Sequence, residues 1–175
     1  MTPLRTLAVL TLCALSGSAL AQDAPESPVI ASLKGIHDLT SGNLMATAEM
    51  LDDEMYAFRP TDEVRTAGQM LAHVANAQYA FCSAAAGEEN PNGVNIEETA
   101  TTKADITVAL EAAFTYCDDV YDAMTDAQGA ELRTFFGREM AASGILSFNT
   151  THNYEHYGNL VTYMRINGLT PPSSM

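Results

Sequence analysis

The chain has 175 residues, 47% of them hydrophobic and 17% charged, a balance that suits one globular domain with a buried core. Its formal net charge of −14 repels phosphate backbones and anionic lipid headgroups, so nucleic acid is excluded as an expected partner.

Residues 1–21 read as a cleaved signal peptide. Arg5 precedes an apolar run from Leu7 to Leu15, and Ala19-Leu20-Ala21 has the small-x-small form of a signal-peptidase site. The run is shorter than the ~20 residues of a permanent membrane anchor, and Cys13 lies inside it, not in a lipoprotein context. The expected product is an exported chain, periplasmic or secreted, with a single domain over residues 22–175. It keeps 7 basic residues against 22 acidic ones and retains Cys82 and Cys117 where disulfides persist.

Four helices and no convincing strand pair follow from the apolar periodicity. The first runs from Val29 to about Leu51 on Leu33, Ile36, Leu44, Ala48 and Leu51. Tyr56-Ala57-Phe58-Arg59-Pro60 breaks the pattern, since proline drives Arg59 out of helical geometry. Thr66 is an N-cap for a second helix to about Ala86, with Met70, Leu71, Val74, Ala77, Gln78 and Phe81 on its repeat and His73 on its inward side. Gly87 to Thr102 is longer than a helical hairpin needs and suits a crossover between parallel helices. The third helix spans about Lys103 to Met124. Thr125 to Gly137 reads as a linker, and the fourth helix begins near Arg138. Gly168, Pro171 and Pro172 end it. Asn149-Thr150-Thr151 fits a glycosylation sequon but falls inside this helix and is read as incidental.

Three of the four histidines share inward faces. His152 and His156, four residues apart, stand on one face of the last helix, the spacing from which two imidazoles reach one ion. His73 is the third. Three imidazoles and an open position would let an ion polarise a substrate or lower the pKa of bound water. On spacing alone a surface histidine pair and a hydrogen-bonded core His73 remain open alternatives. His37 lies about ten residues beyond the level of His73, roughly 15 Å by helical rise, and reads as a solvated or core-edge side chain.

The pieces Leu71-Ala72-His73-Val74, His152 to Asn159, and Tyr163-Met164-Arg165-Ile166-Asn167-Gly168-Leu169-Thr170-Pro171-Pro172 together resemble the DinB-like superfamily of metal-binding bundles. Tyr56 to Thr61 is similar to that family's turn between helices one and two. The resemblance implies an all-α, up-down-down-up four-helix bundle with a long crossover between helices 2 and 3. It implies His73, His152 and His156 as ligands of one divalent transition metal; Zn²⁺, Ni²⁺, Mn²⁺ and Fe²⁺ all suit three imidazoles.

With helices two and three parallel, as the resemblance implies, Cys82 and Cys117 stand ~24 and ~21 Å along their axes. A disulfide and a pair of small buried hydrophobes are both compatible with that level. Gln69, Asn76 and Asn159 lie within helical reach of the histidines, and Asn43 and Thr47 are expected near the level of His73, all five as pocket or outer-sphere residues. Glu155 points about 100° away from His156. Arg165 is assigned to the helix dipole or a surface salt bridge.

Relatives implied by the resemblance are metal-dependent hydrolases and transferases that use mycothiol or bacillithiol. Those thiols are cytoplasmic, so hydrolysis of a small-molecule substrate ranks first, ahead of thiol transfer or a non-catalytic, stress-related envelope protein. A homodimer is compatible with the fold, and no catalytic residue is identifiable.

Overall fold

The structure, a computed structural model, describes residues 26–175. The expected signal segment, residues 1–21, lies outside the described residues. Four long helices form the bundle: α1 (Pro28–Met50), α3 (Ala67–Ala86), α5 (Lys103–Ala123) and α7 (Ala142–Ile166). Three short ones sit in the connections: α2 (Asp53–Ala57), α4 (Ile96–Thr99) and α6 (Asp126–Gly129). Each of α3 and α1 packs against both α5 and α7, so α1 and α3 face each other across a diagonal. Gly68 at the start of α3 abuts Ile106 at the start of α5, and Cys82 meets Cys117 near their ends, so these two helices run parallel. Gln78 to Asn153 and Cys82 to Asn149 contacts set α7 antiparallel to α3. The topology is up-down-down-up, with the crossover carrying α4.

Helix ends are satisfied by chemistry that the sequence spells out locally in some places and not in others. Thr66 and Gln69 form a reciprocal capping box at the start of α3. Gly168, at φ +76°, closes α7, with Leu169 N–H donating to the Met164 carbonyl and Gly168 N–H to that of Arg165. The start of α1 has no cap of its own: the Asp126 carboxylate, nearly a hundred residues away, accepts from Val29 and Ile30 N–H at 3.1 and 2.9 Å. Its other end is met by the Lys103 ammonium, which donates to the Glu49 and Leu51 carbonyls at 2.8 and 2.5 Å. An anion at one end and a cation at the other both oppose the helix dipole.

One expectation is corrected. The linker after α5 contains a two-stranded antiparallel hairpin, β1 (Leu132–Phe135) and β2 (Arg138–Ala141), and α7 starts at Ala142, after it, instead of near Arg138. The two turn residues, Phe136 and Gly137, have φ of +48° and +71°, the positive pair that a two-residue type I′ turn demands. The hairpin is pinned to the end of α3: the Arg133 side chain lies against Gly87, whose φ of +76° favours glycine.

The core has two apolar clusters, one around Leu44, Leu71, Leu110 and Leu160, the other around Phe81, Tyr121, Ile145 and Leu146. Cys82 and Cys117 are joined by a disulfide in the second, with a Cα–Cα distance of 5.4 Å. Asn149 is wholly buried there. Its amide donates to Gln78 Oε1 at 2.8 Å and lies 3.6 and 3.5 Å from the two sulfurs, so the sequon has no accessible nitrogen.

His37 departs from its expected surroundings. It is fully buried, stacked on Tyr121 at 4.7 Å between ring centroids and 3.4 Å from an Asp118 oxygen. Burial lowers its pKa to about 4, with Asp38 opposing that shift and Lys34 adding to it. Because the folded value lies below the ordinary 6.5, the unfolded chain takes up the proton first. The stabilisation is complete above about pH 6.5 and is lost as pH falls towards 4, about 3 kcal/mol in all. Denaturant titrations between pH 7 and 4 should show a steeper loss of stability in the native protein than in His37→Leu; equal slopes would refute the assignment.

Candidate metal centre

Two elements deliver the three histidines. α3 presents His73, and α7 presents His152 and His156 one turn apart on the face turned towards it. His152 Nε2 is 3.2 Å from His73 Nε2 and 3.0 Å from His156 Nε2, and one ligand atom of each ring lies within 4.8 Å of the others. His73 and His152 are half-buried and His156 is buried, so the cluster lies between α3 and α7 and is partly open to solvent.

The tautomer of His73 is set from behind. Its Nδ1 faces Glu97 Oε2 at 2.9 Å, and Glu97 Oε1 accepts from Arg65 Nε at 2.8 Å. Burial would raise the Glu97 carboxyl, but the hydrogen bonds from Arg65 and His73 outweigh it and hold the pKa below the ordinary value. An ionised Glu97 keeps the proton of His73 on Nδ1, so Nε2 offers a lone pair to the cluster.

The rings on α7 are held neutral. Burial first, then His73 and Arg65, lower His152 to about 4. Burial, then His152, His73 and Arg65, lower His156 to about 3, against a small opposing effect of Glu97. At neutral pH neither has a proton to shed before accepting a cation.

Three imidazole nitrogens this close fit a cation better than they fit one another. Ligand nitrogens ~2.1 Å from one ion at tetrahedral or octahedral angles lie about 3.0 to 3.4 Å apart, and the distances from His152 Nε2 to the other two, 3.2 and 3.0 Å, fall in that range, with all three ligand atoms within 4.8 Å of one another. Among the described residues these three form the group able to hold a metal ion.

Glu97 is the residue that reading the sequence missed. It sits in α4, inside what looked like an uninterrupted loop; the signal was Asn95, an N-cap residue, followed by Ile96 as a buried anchor. Asn76, expected beside the imidazoles, instead holds this piece of the crossover. Its Oδ1 accepts from Ile96 N–H at 2.8 Å and its Nδ2 donates to Asn95 Oδ1 at 2.6 Å, which fixes Glu97 behind His73. Gln69 is used in the capping box and lines a neighbouring cleft of about 490 Å³ that also reaches Glu97.

The Thr47 hydroxyl donates to the Asn43 carbonyl of its own helix at 2.8 Å, and no hydrogen bond links either residue to the histidines. Asn159 and Glu155 are exposed. Arg165 donates to Ser174 Oγ at 3.0 Å. Glu97→Ala should leave the fold intact and weaken metal binding about 10- to 100-fold, measured by competition with a chromogenic chelator.

Fold and site together define an antiparallel helix pair in a four-helix bundle, with three convergent imidazoles between the two helices and a carboxylate behind one of them. The chain belongs to the DinB superfamily, whose family model matches residues 37–160. Bacillus subtilis YjoA is 24% identical over 127 residues, 70% of this chain and 80% of that protein. The crystal structure of YjoA, a DinB-like protein, superposes with a TM-score of 0.65 at 19% identity, covering 79% of this chain and 93% of that one. A DinB-like protein from Bacillus cereus gives 0.68 at 21% identity, over 82% and 95%. The mycothiol-dependent maleylpyruvate isomerase shares the fold at a TM-score of 0.62 and 17% identity, with 75% of this chain covering 60% of that protein.

Proposed function

We propose that this chain is an exported metal-dependent hydrolase of a small molecule, in which His73, His152 and His156 hold one divalent transition ion. The observation that carries the reading is the convergence of the three Nε2 atoms, with Glu97 fixing the tautomer of His73. When bound, the ion supplies a Lewis acid with an open position. Zn²⁺, Ni²⁺, Mn²⁺ and Fe²⁺ all suit that donor set. The chain's own residues orient the ligands and keep His152 and His156 unprotonated. Glu97 stands on the far side of the His73 ring from the convergent nitrogens and acts as a positioning residue.

Thiol-dependent transfer or isomerisation is the second reading, favoured by the shared fold of the mycothiol-dependent isomerase. The Cys82–Cys117 disulfide weighs against it, because such bridges belong to oxidising compartments and low-molecular-weight thiols to reducing ones. The same bridge supports export, as does the apolar segment before Gln22. Metal analysis of protein purified from its native compartment, then a panel of ester, amide and phosphoester substrates with and without added thiol, tests the proposal. Turnover that requires thiol would favour the second reading, and metal without turnover would favour a non-catalytic binding protein of the envelope. A mature N-terminus near Gln22 in the extracytoplasmic fraction is the expected location result.

A further inference from the structure

The partly exposed histidine cluster is continued by aromatic side chains. On α7, Phe148 precedes His152 by one turn, and on α3, Phe81 follows His73 by two, so both lie on the stripes that carry the imidazoles. Phe81 is buried and central: its ring centroid is 5.5 Å from that of His152, 5.1 Å from Phe148, 4.9 Å from Phe135 and 6.3 Å from Phe136. Phe135 and Phe136, adjacent in the hairpin, are 4.1 Å apart. The hairpin thus sets two more rings beside Phe81.

Two of these rings are placed at a disadvantage to the fold. Phe136 is 75% exposed, and it is the one non-glycine residue with positive φ among the described residues. A bulky side chain in that conformation is strained, and an exposed phenyl ring gains little from burial. Phe148 is 41% exposed on the same patch. A contiguous aromatic surface of this kind, abutting a cluster of ligand atoms, marks a binding site.

We propose that Phe136 and Phe148, backed by Phe81 and Phe135, form an apolar subsite for the ring-bearing end of a small molecule whose oxygen donor group reaches the ion at His73, His152 and His156. This rests on the metal reading above and adds to it a substrate class: compact molecules with an aromatic or bulky aliphatic group beside a carbonyl or similar donor. The occupant is placed by continuity, because the rings run without a break from the hairpin turn to His152.

Phe136→Gly is the informative variant, since glycine takes φ +48° without strain and the turn is kept. Zinc-loaded native protein and the variant are titrated calorimetrically with benzohydroxamate and acetohydroxamate, which present the same two oxygens with and without a phenyl ring. The expected result is a preference for benzohydroxamate of about tenfold in the native protein, reduced to within roughly threefold in Phe136→Gly and in Phe148→Ala, with metal content unchanged. An equal preference in native protein and variants overturns the subsite while leaving the metal site standing. Failure of the native protein to hold zinc overturns the underlying reading instead. In that case the subsite is judged on metal-free protein by anilinonaphthalene sulfonate fluorescence, where unchanged emission in both variants refutes it. A native dimer that Phe136→Gly dissociates would assign the rings to a second copy of the chain and also overturn the proposal.

Discussion

Replacing His156 with alanine is expected to leave a folded protein that no longer retains metal through purification. Structural zinc sites bind with ~10–16 kcal/mol, so one of three ligands carries roughly 3–5 kcal/mol, about a thousandfold in affinity. His156 is the most buried of the three rings, and its neighbour His152 faces it at 3.0 Å, so alanine there also opens the cluster on the α7 side. The same loss is expected for His73→Ala. His37→Leu is the control, because His37 stands on α1 and packs on Tyr121 and Phe114 of α5, outside the α3–α7 pair that carries the cluster. Elemental analysis and chelator competition read all three. Undiminished metal in His156→Ala would refute the centre.

The second large effect belongs to the disulfide. Cys82 and Cys117 are 35 residues apart in sequence, and closing a loop of that length in the unfolded chain corresponds to about 4 kcal/mol in the chain-entropy account. The Cys82→Ala, Cys117→Ala double variant should therefore melt roughly 10 °C lower than the native protein. Reduction under native conditions should be slow, because both sulfurs are inaccessible to solvent. Metal affinity should change little, since the bridge joins α3 to α5 and the three histidines stand on α3 and α7. A double variant with an unshifted melting temperature would contradict this account.

What was readable before the structure, and what was not, follows the range of the interactions concerned. The four helices were legible because their signals are local: apolar repeats, Thr66 as an N-cap, Gly168 before two prolines. The histidine pair was legible for the same reason, and His73 through its place on the inward stripe. The hairpin escaped because Phe136-Gly137 lacks the Asn-Gly or Asp-Gly that usually marks a type I′ turn, and four-residue strands offer little alternation to count. Glu97 escaped because its role depends on Asn76, some twenty residues away and on another element. Asp126 capping α1 is a still longer-range case. His37 was misjudged as to its surroundings because a histidine enclosed by Tyr121, Phe114 and Asp118 looks, in sequence, like any histidine beside an aspartate.

The buried amides between α3 and α7 have a further consequence. Gln78 accepts from Asn149 and donates to Asn153 at 2.7 Å, all three wholly enclosed. Two antiparallel helices lined with leucine and alanine lose little by sliding one turn, 5.4 Å, past each other. These amides would lose their partners, at about 1–3 kcal/mol for each group left unpaired. The relative offset of the two helices is therefore chosen by amides that touch no histidine, and the site keeps its shape whatever stands at positions 73, 152 and 156. The scaffold and its chemistry are separable: a chain that retained Gln78, Asn149 and Asn153 could exchange its imidazoles for other side chains and present a different reaction centre in the same place.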